Sequence, residues 1–255
     1  MKRRVLSWIL ALALACSLLV FPANAAEVLD SGEFGSFTWV LTSDGVITIS
    51  GVGTIPTTLK NSWSDWNSSV RSIVIQDVIT GIGSSAFENC KKLTAVSIPD
   101  GVTKILQNSF YGCSNLISIN IPDSVTTIGA RAFYECSSID NIAIPYGVYE
   151  INESTFYNCT NLSNLIIPDS VSIINKFAFR GCRNLRNLTI PKGLTSIGQT
   201  AFYLCDSLTS ISIPEETTDI GNGAFADCKS LTDIIVSENN PEYRSIDGVL
   251  FNKDG

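Results

Sequence analysis

The chain has 255 residues, 24 acidic against 17 basic side chains and no histidine. A formal charge of -7 argues against nucleic acid and anionic lipid as partners, because both repel an acidic surface. Lacking histidine, the chain lacks the usual general base of serine and cysteine hydrolases and the commonest metal ligand.

The first element is not part of any core. Lys2, Arg3 and Arg4 precede an apolar run from Leu6 to Phe21, and Ala23-Asn24-Ala25 supplies the small-x-small pattern of a secretory cleavage site. Residues 1–25 therefore read as a signal peptide, with the mature chain starting at Ala26. Cys16 invites a lipoprotein reading, but Ser17-Leu18-Leu19-Val20-Phe21 continues the hydrophobic segment instead of opening a polar mature end. No later stretch is apolar enough to cross a membrane.

Residues 26–70 read as an N-terminal cap. Phe37, Trp39 and Leu41 alternate, Ser43-Asp44-Gly45 is a turn signal, and Val46 to Ile49 is a second β-rich run, together a hairpin. Trp63 and Trp66 follow in a Ser/Asn-rich stretch. A cap is needed because a terminal repeat otherwise leaves an apolar face and open strand edges in water.

From residue 71 the chain repeats. Cys90, Cys113, Cys136, Cys159, Cys182, Cys205 and Cys228 recur every 23 residues. On the same interval run an Ile-Pro step from Ile98-Pro99 to Ile213-Pro214, a Phe column from Phe87 to Phe225, and aliphatic columns beginning at Ile82 and Leu93. A unit of this length cannot bury its hydrophobic face alone and must stack on its copies. Within one unit Val96 and Ile98 share a strand face while Ala95 and Ser97 point away, and Pro99, lacking a donor, ends the ladder. Asp100-Gly101 turns the chain, Val102 to Ile105 gives a second extended piece, and Asn108 to Cys113 suits one helical or 3₁₀ turn. The expected fold is a β-rich repeat solenoid over residues 71–236, with about seven 23-residue coils in a rod on the order of 35 Å long.

After Val236 the register fails. Tyr243 to Ile246 and Val249 to Phe251 flank Asp247-Gly248, a strong hairpin signal. Residues 237–255 read as the start of a C-terminal hairpin segment, expected to be truncated, with no sorting signal or wall-binding repeat in view.

The cysteine column admits three readings. Metal binding is poorly served by one straight row with no C-x-x-C pair; disulfides fit the coil spacing, yet stacked copies point their Cβ bonds in parallel; buried thiols acting as small hydrophobes are favoured. The Phe column reads as core. The residues after those rings, Tyr111, Tyr134, Tyr157 and Tyr203, form a row broken by Glu88, Arg180 and Ala226; a position that tolerates charge reaches water, so this row is the candidate binding strip, against the plainer reading that each Tyr shields the next coil. The turn row Asp100, Asp123, Asp169 and Glu215 is interrupted by Tyr146 and Lys192, and reads as turn chemistry, not a calcium site. No carboxylate pair is flanked by aromatic residues as in a sugar-cleaving cleft, so the chain reads as a non-enzyme without cofactor or metal.

The pattern Leu-x-x-aliphatic-x-Ile-Pro followed by Ile-Gly-x-x-Ala-Phe-x-x-Cys, as in Ile128-Gly129-Ala130-Arg131-Ala132-Phe133-Tyr134-Glu135-Cys136, resembles the BspA-like leucine-rich repeats of bacterial surface proteins over Arg71 to Val236. The resemblance implies a secreted or cell-surface scaffold, bacterial in setting, that binds an extracellular protein or glycan, as in adhesion. A single-chain, monomeric scaffold is expected. The alternative is a non-catalytic accessory or spacer region of a larger secreted enzyme.

Overall fold

A computed structural model describes residues 26–253 except 67 and 77. The expected signal peptide, residues 1–25, lies outside the described residues. The described chain is a β-solenoid with two ladders of short parallel strands. The first runs from Ser72–Ile75 through Ala95–Ser97, Ser118–Ile119, Asn141–Ala143, Asn164–Ile166, Asn187–Leu188 and Ser210–Ile213 to Asp233–Val236. The second runs from Ile79–Ile82 to Asp219–Ile220.

Pairing keeps the sequence period without slippage. Ala95 lies opposite Ser118, Asn141 opposite Asn164, and Glu150 opposite Ile173, each 23 residues on. The first ladder has eight strands, one more coil than the cysteines count, because Asp233–Val236 stacks after the coil that ends in Cys228. Strand pairing in both ladders lapses between the coil of Thr127–Ile128 and that of Glu150–Ile151, where the Asn152 side chain donates to the Ile128 carbonyl at 2.9 Å, and in the first ladder again between Asn187–Leu188 and Ser210–Ile213.

Alternation in these strands decides burial. Val96, Ile119, Ile142 and Leu165 face in, and Ser97, Ala143 and Ile166 face out. Pro99, Pro122, Pro145 and Pro168 close each strand as its lack of a donor requires, and each opens a turn: Val125 N donates to Pro122 O at 3.0 Å, Val171 N to Pro168 O at 3.1 Å.

The compact piece of each coil differs from the helical or 3₁₀ turn expected. Asn108 to Cys113 forms successive turns whose amides alternate in direction. Asn108, Phe110 and Gly112 donate forward to Ala130, Ala132 and Tyr134 of the next coil at 3.1, 2.8 and 2.7 Å. Ser109, Tyr111 and Cys113 donate back to Leu106, Asn108 and Phe110 at 3.3, 3.1 and 3.1 Å. A helix would spend all these amides within the coil; here half of them tie neighbouring coils together and none is orphaned. The geometry requires left-handed backbone at two positions per coil, seen at Asn108 (φ 57) and Gly112 (φ 68), and at Arg131 (φ 56) and Glu135 (φ 57). Coils approach closely enough that a Cβ on Gly129 would fall 2.5 Å from the Gln107 amide nitrogen, which accounts for the Ile-Gly step there.

The core is a stack of like side chains. Phe110, Phe133, Phe156 and Phe179 are fully buried, with successive ring centroids 5.4–5.5 Å apart and planes within 4°. Cys113 to Cys205 are buried free thiols. Each donates to the carbonyl of the preceding coil's Phe: Cys113 to Phe87, Cys136 to Phe110, and Cys182 to Phe156, all at 3.1 Å.

The N-terminal end is sealed by more than a hairpin. Val28–Phe34 adds an outer strand to Phe37–Thr42 and Val46–Gly51, and the last of these pairs in parallel with Ser72–Ile75. Trp39 meets Trp63, from the 3₁₀ segment Thr57–Trp66, edge to face at 5.6 Å, and Trp66 Nε1 donates to Asp30 at 2.8 Å. At the other end Tyr243–Ile246 and Val249–Asn252 form a hairpin whose Gly248 carbonyl accepts from Ile234 at 2.9 Å. Buried Asn240 fastens this end: its amide donates to Pro214 O and Thr217 O at 2.7 and 2.8 Å, and its oxygen accepts from Tyr243 N at 2.8 Å.

Candidate functional site

The turns that aim each Phe inward place the following residue at the surface. Tyr111, Tyr134, Tyr157, Arg180 and Tyr203 each donate their amide three residues back, at 3.1–3.2 Å, from the same turn in five consecutive coils. With the backbone repeated, the side chains must lie over one another. Tyr111 and Tyr134 stack at 4.6 Å and 5°, Tyr134 and Tyr157 at 4.5 Å and 4°.

Arg180 does not break this row, as its sequence position suggests; it continues it. Its guanidinium lies 5.8 Å from the Tyr157 centroid, 4.5 Å from that of Tyr203 and 6.0 Å from that of Phe177. A planar cation suits a gap between two aromatic faces. The true ends are Glu88, paired with Lys60 at 3.5 Å, and Ala226.

The stack has a chemical consequence. The phenol faces along the central run are taken up by neighbours, so the half-exposed tyrosines offer ring edges and hydroxyls to a ligand, not flat platforms. Beside them Glu153 bridges Arg131 at 3.7 Å and Lys176 at 3.3 Å, and a shallow depression is bounded by Tyr111, Arg131, Tyr134, Glu153, Tyr157 and Arg180. Burial, followed by neighbouring Tyr157 and Glu135, raises the Tyr134 phenol; a hydrogen bond to Asp227 and its charge raise Tyr203. Both therefore stay neutral donors at physiological pH.

Elsewhere the outer rows are small and polar. Asn164 donates to Asn141 at 2.8 Å across the first ladder, and Thr103, Thr126 and Thr195 each donate to the carbonyl 23 residues earlier, at 3.2, 3.3 and 3.0 Å. Among the described residues no group of three or more His, Cys, Asp or Glu side chains is placed to hold a metal, and no helix is long and apolar enough to cross a membrane.

The repeat columns find a match among known families. The BspA type leucine-rich repeat region matches residues 59–169 and 149–253, in 6 copies. The chain belongs to this family. Solved structures of leucine-rich repeat proteins agree. One is a leucine-rich cell surface protein of Faecalibacterium prausnitzii, 30% identical, with a TM-score of 0.58 over 88% of this chain. This chain spans 58% of that one's length. Another is a leucine-rich repeat protein of T. pallidum, 27% identical, TM-score 0.61, covering 78% of this chain and 89% of its own. A leucine-rich repeat protein of Bacteroides ovatus, 23% identical at a TM-score of 0.53, shares the fold over 81% of this chain. No sequence among the curated proteins matches.

Proposed function

We propose that this BspA-type chain is a non-catalytic recognition scaffold, displayed or released outside a bacterial cell, that binds an extracellular protein or glycan through its outer surface. The observation that carries this reading is the strip Tyr111, Tyr134, Tyr157, Arg180 and Tyr203. Five stacked planar side chains on one rigid edge form a preorganised contact surface whose rotamers are already fixed, so little conformational entropy remains to be lost on binding. Ring edges and phenol hydroxyls suit the amides of a peptide or the hydroxyls of a sugar. Export rests on the basic front, apolar run and Ala23-Asn24-Ala25 of the leader, and on the description of the Faecalibacterium relative as a cell surface protein.

The test is a binding survey on immobilised extracellular-matrix proteins and a glycan array, comparing the parent with Tyr134→Ser/Tyr157→Ser. Loss of a specific interaction with an unchanged melting curve supports the strip. Unchanged binding with unchanged folding removes it.

A further inference from the structure

Two adjoining coils break the small, polar character of the outer surface at the corner between the two strand ladders. Ile166, Tyr146 and Tyr149 are 68%, 70% and 66% exposed, and Ile173 is 36% exposed. Folding does not ask for these residues. Neighbouring coils hold Ala143 and Thr189 in the row of Ile166, Asp123 and Asp169 in that of Tyr146, and Thr126 and Ser172 in that of Tyr149. Large apolar side chains clustered in water mark a contact site more often than a packing need.

The register fixes their surroundings. Tyr146 is the first central residue of the turn in which Val148 N donates to Pro145 O at 3.0 Å; Asp123 and Asp169 hold that place one coil before and one coil after. Tyr149 accepts from Ser172 N at 3.0 Å, and Glu150 lies opposite Ile173. Both phenols thus have short polar neighbours in their rows, and, unlike those of the strip, neither ring stacks on another aromatic among the described residues. Asp123, Glu150 and Asp169 are exposed. The nearest cations in these rows are Lys192, one coil beyond Asp169, and Lys104, two coils before Glu150.

We infer that this corner is a second docking site, for a cationic segment of a protein partner. A Lys or Arg of that segment lies over the Tyr146 or Tyr149 ring between the flanking carboxylates, and its aliphatic stem rests on Ile166. Charge complementarity selects this occupant: three exposed carboxylates repel an acidic segment, and a neutral apolar segment could cover Ile166 but would leave those carboxylates without a counter-charge. The site is independent of the stacked strip, so each can fail alone.

The probe is a short labelled Lys-Leu-Ser repeat peptide, with its Glu-for-Lys counterpart as control, titrated by fluorescence anisotropy into the parent, Tyr146→Ser/Tyr149→Ser, Asp123→Asn/Asp169→Asn and Tyr134→Ser/Tyr157→Ser. The cationic peptide is expected to bind the parent, to weaken as salt is raised, and to lose about fivefold or more in affinity on each of the first two variants but not on the third. All three substituted surfaces are exposed or half-exposed, and unchanged melting curves verify folding. No binding of the cationic peptide, equal binding by the first two variants, or equal binding of the acidic peptide overturns the proposal. A glycan that binds only when Tyr146 and Tyr149 are present, while the peptide does not, also overturns it.

Discussion

Cys159 donates its thiol proton to the carbonyl oxygen of Phe133, one coil earlier, at 3.1 Å. The same oxygen accepts the Cys136 amide at 3.1 Å, so both of its lone pairs are used. A buried position beside a stacked ring and facing a carbonyl wants a small, mostly apolar group with one weak donor, which describes a thiol. The cysteine column therefore belongs to the packing of the coil, and it predicts how the thiols behave.

Cys228, on the terminal coil, is only half buried, whereas Cys90 to Cys205 are buried. Burial raises the thiols of Cys136, Cys159 and Cys182, and it acts less on half-buried Cys228. The mature native protein is expected to react with a thiol reagent at Cys228 first, and to release the other six only on unfolding. Disulfide-linked peptides in a non-reducing digest would contradict this.

Alkaline pH should destabilise the fold. Burial pushes Cys90 up from 9.0 to about 11, and the more deeply buried thiols rise as well. A raised folded pKa means that stability is complete below the unfolded value and is lost as pH climbs through the folded one. The loss therefore begins near pH 9, at up to about 1.4 kcal/mol per pH unit for each such thiol. Urea midpoints measured on either side of that value check the sign; a flat profile would show that the thiols do not titrate on unfolding.

Phe156 lies between Phe133 and Phe179, at 5.5 and 5.4 Å, and is fully buried. Phe156→Ala is expected to cost about 3–5 kcal/mol, because rings pinned in neighbouring coils cannot close on the cavity. Phe156→Leu should cost less. The melting midpoint reads both.

Arg180→Ala removes the cation between Tyr157 and Tyr203 at a half-exposed site, for an expected loss of about 0.5–1 kcal/mol. Arg180→Tyr should recover that loss by joining the two halves of the stack into one aromatic run, while Arg180→Glu should not. Denaturation midpoints of the three variants order them.

Much of the solenoid could be read from the chain because strand parity and proline are strict. Val96 and Ile98 face in, and Pro99 ends the strand, wherever a two-residue period operates. In the turns between Asn108 and Cys113 the first left-handed position is not legible, because Ser85, Asn108, Arg131, Ser154, Phe177, Thr200 and Gly223 share no residue type, whereas the second, with Asn89, Gly112, Asn158, Gly181 and Asp227, does carry the Gly, Asn and Asp bias of that backbone. The outer strand Val28–Phe34 escaped notice since Asp30, Ser31 and Gly32 interrupt any apolar alternation. Buried Asn240 looked like loop, and only its five polar contacts reveal a clamp. In the candidate strip spacing alone marks the four tyrosines, whereas Arg180 reads as an interruption in the sequence because a row of residue types does not show that a guanidinium stacks. Tyr149 and Ile166 stood out only once exposure was known.

A solenoid whose coils pair at a fixed offset of 23 residues should tolerate removal of one whole coil and nothing less. Excision of residues 138–160 joins two copies in register, and the far-UV circular dichroism melt of that variant is the decisive measurement. Retained β signal with a cooperative transition at a lower temperature is the expected result, since one interface between coils is lost and the others remain. An unfolded product, no better than one lacking half a coil at the same place, would contradict the stacked-coil account.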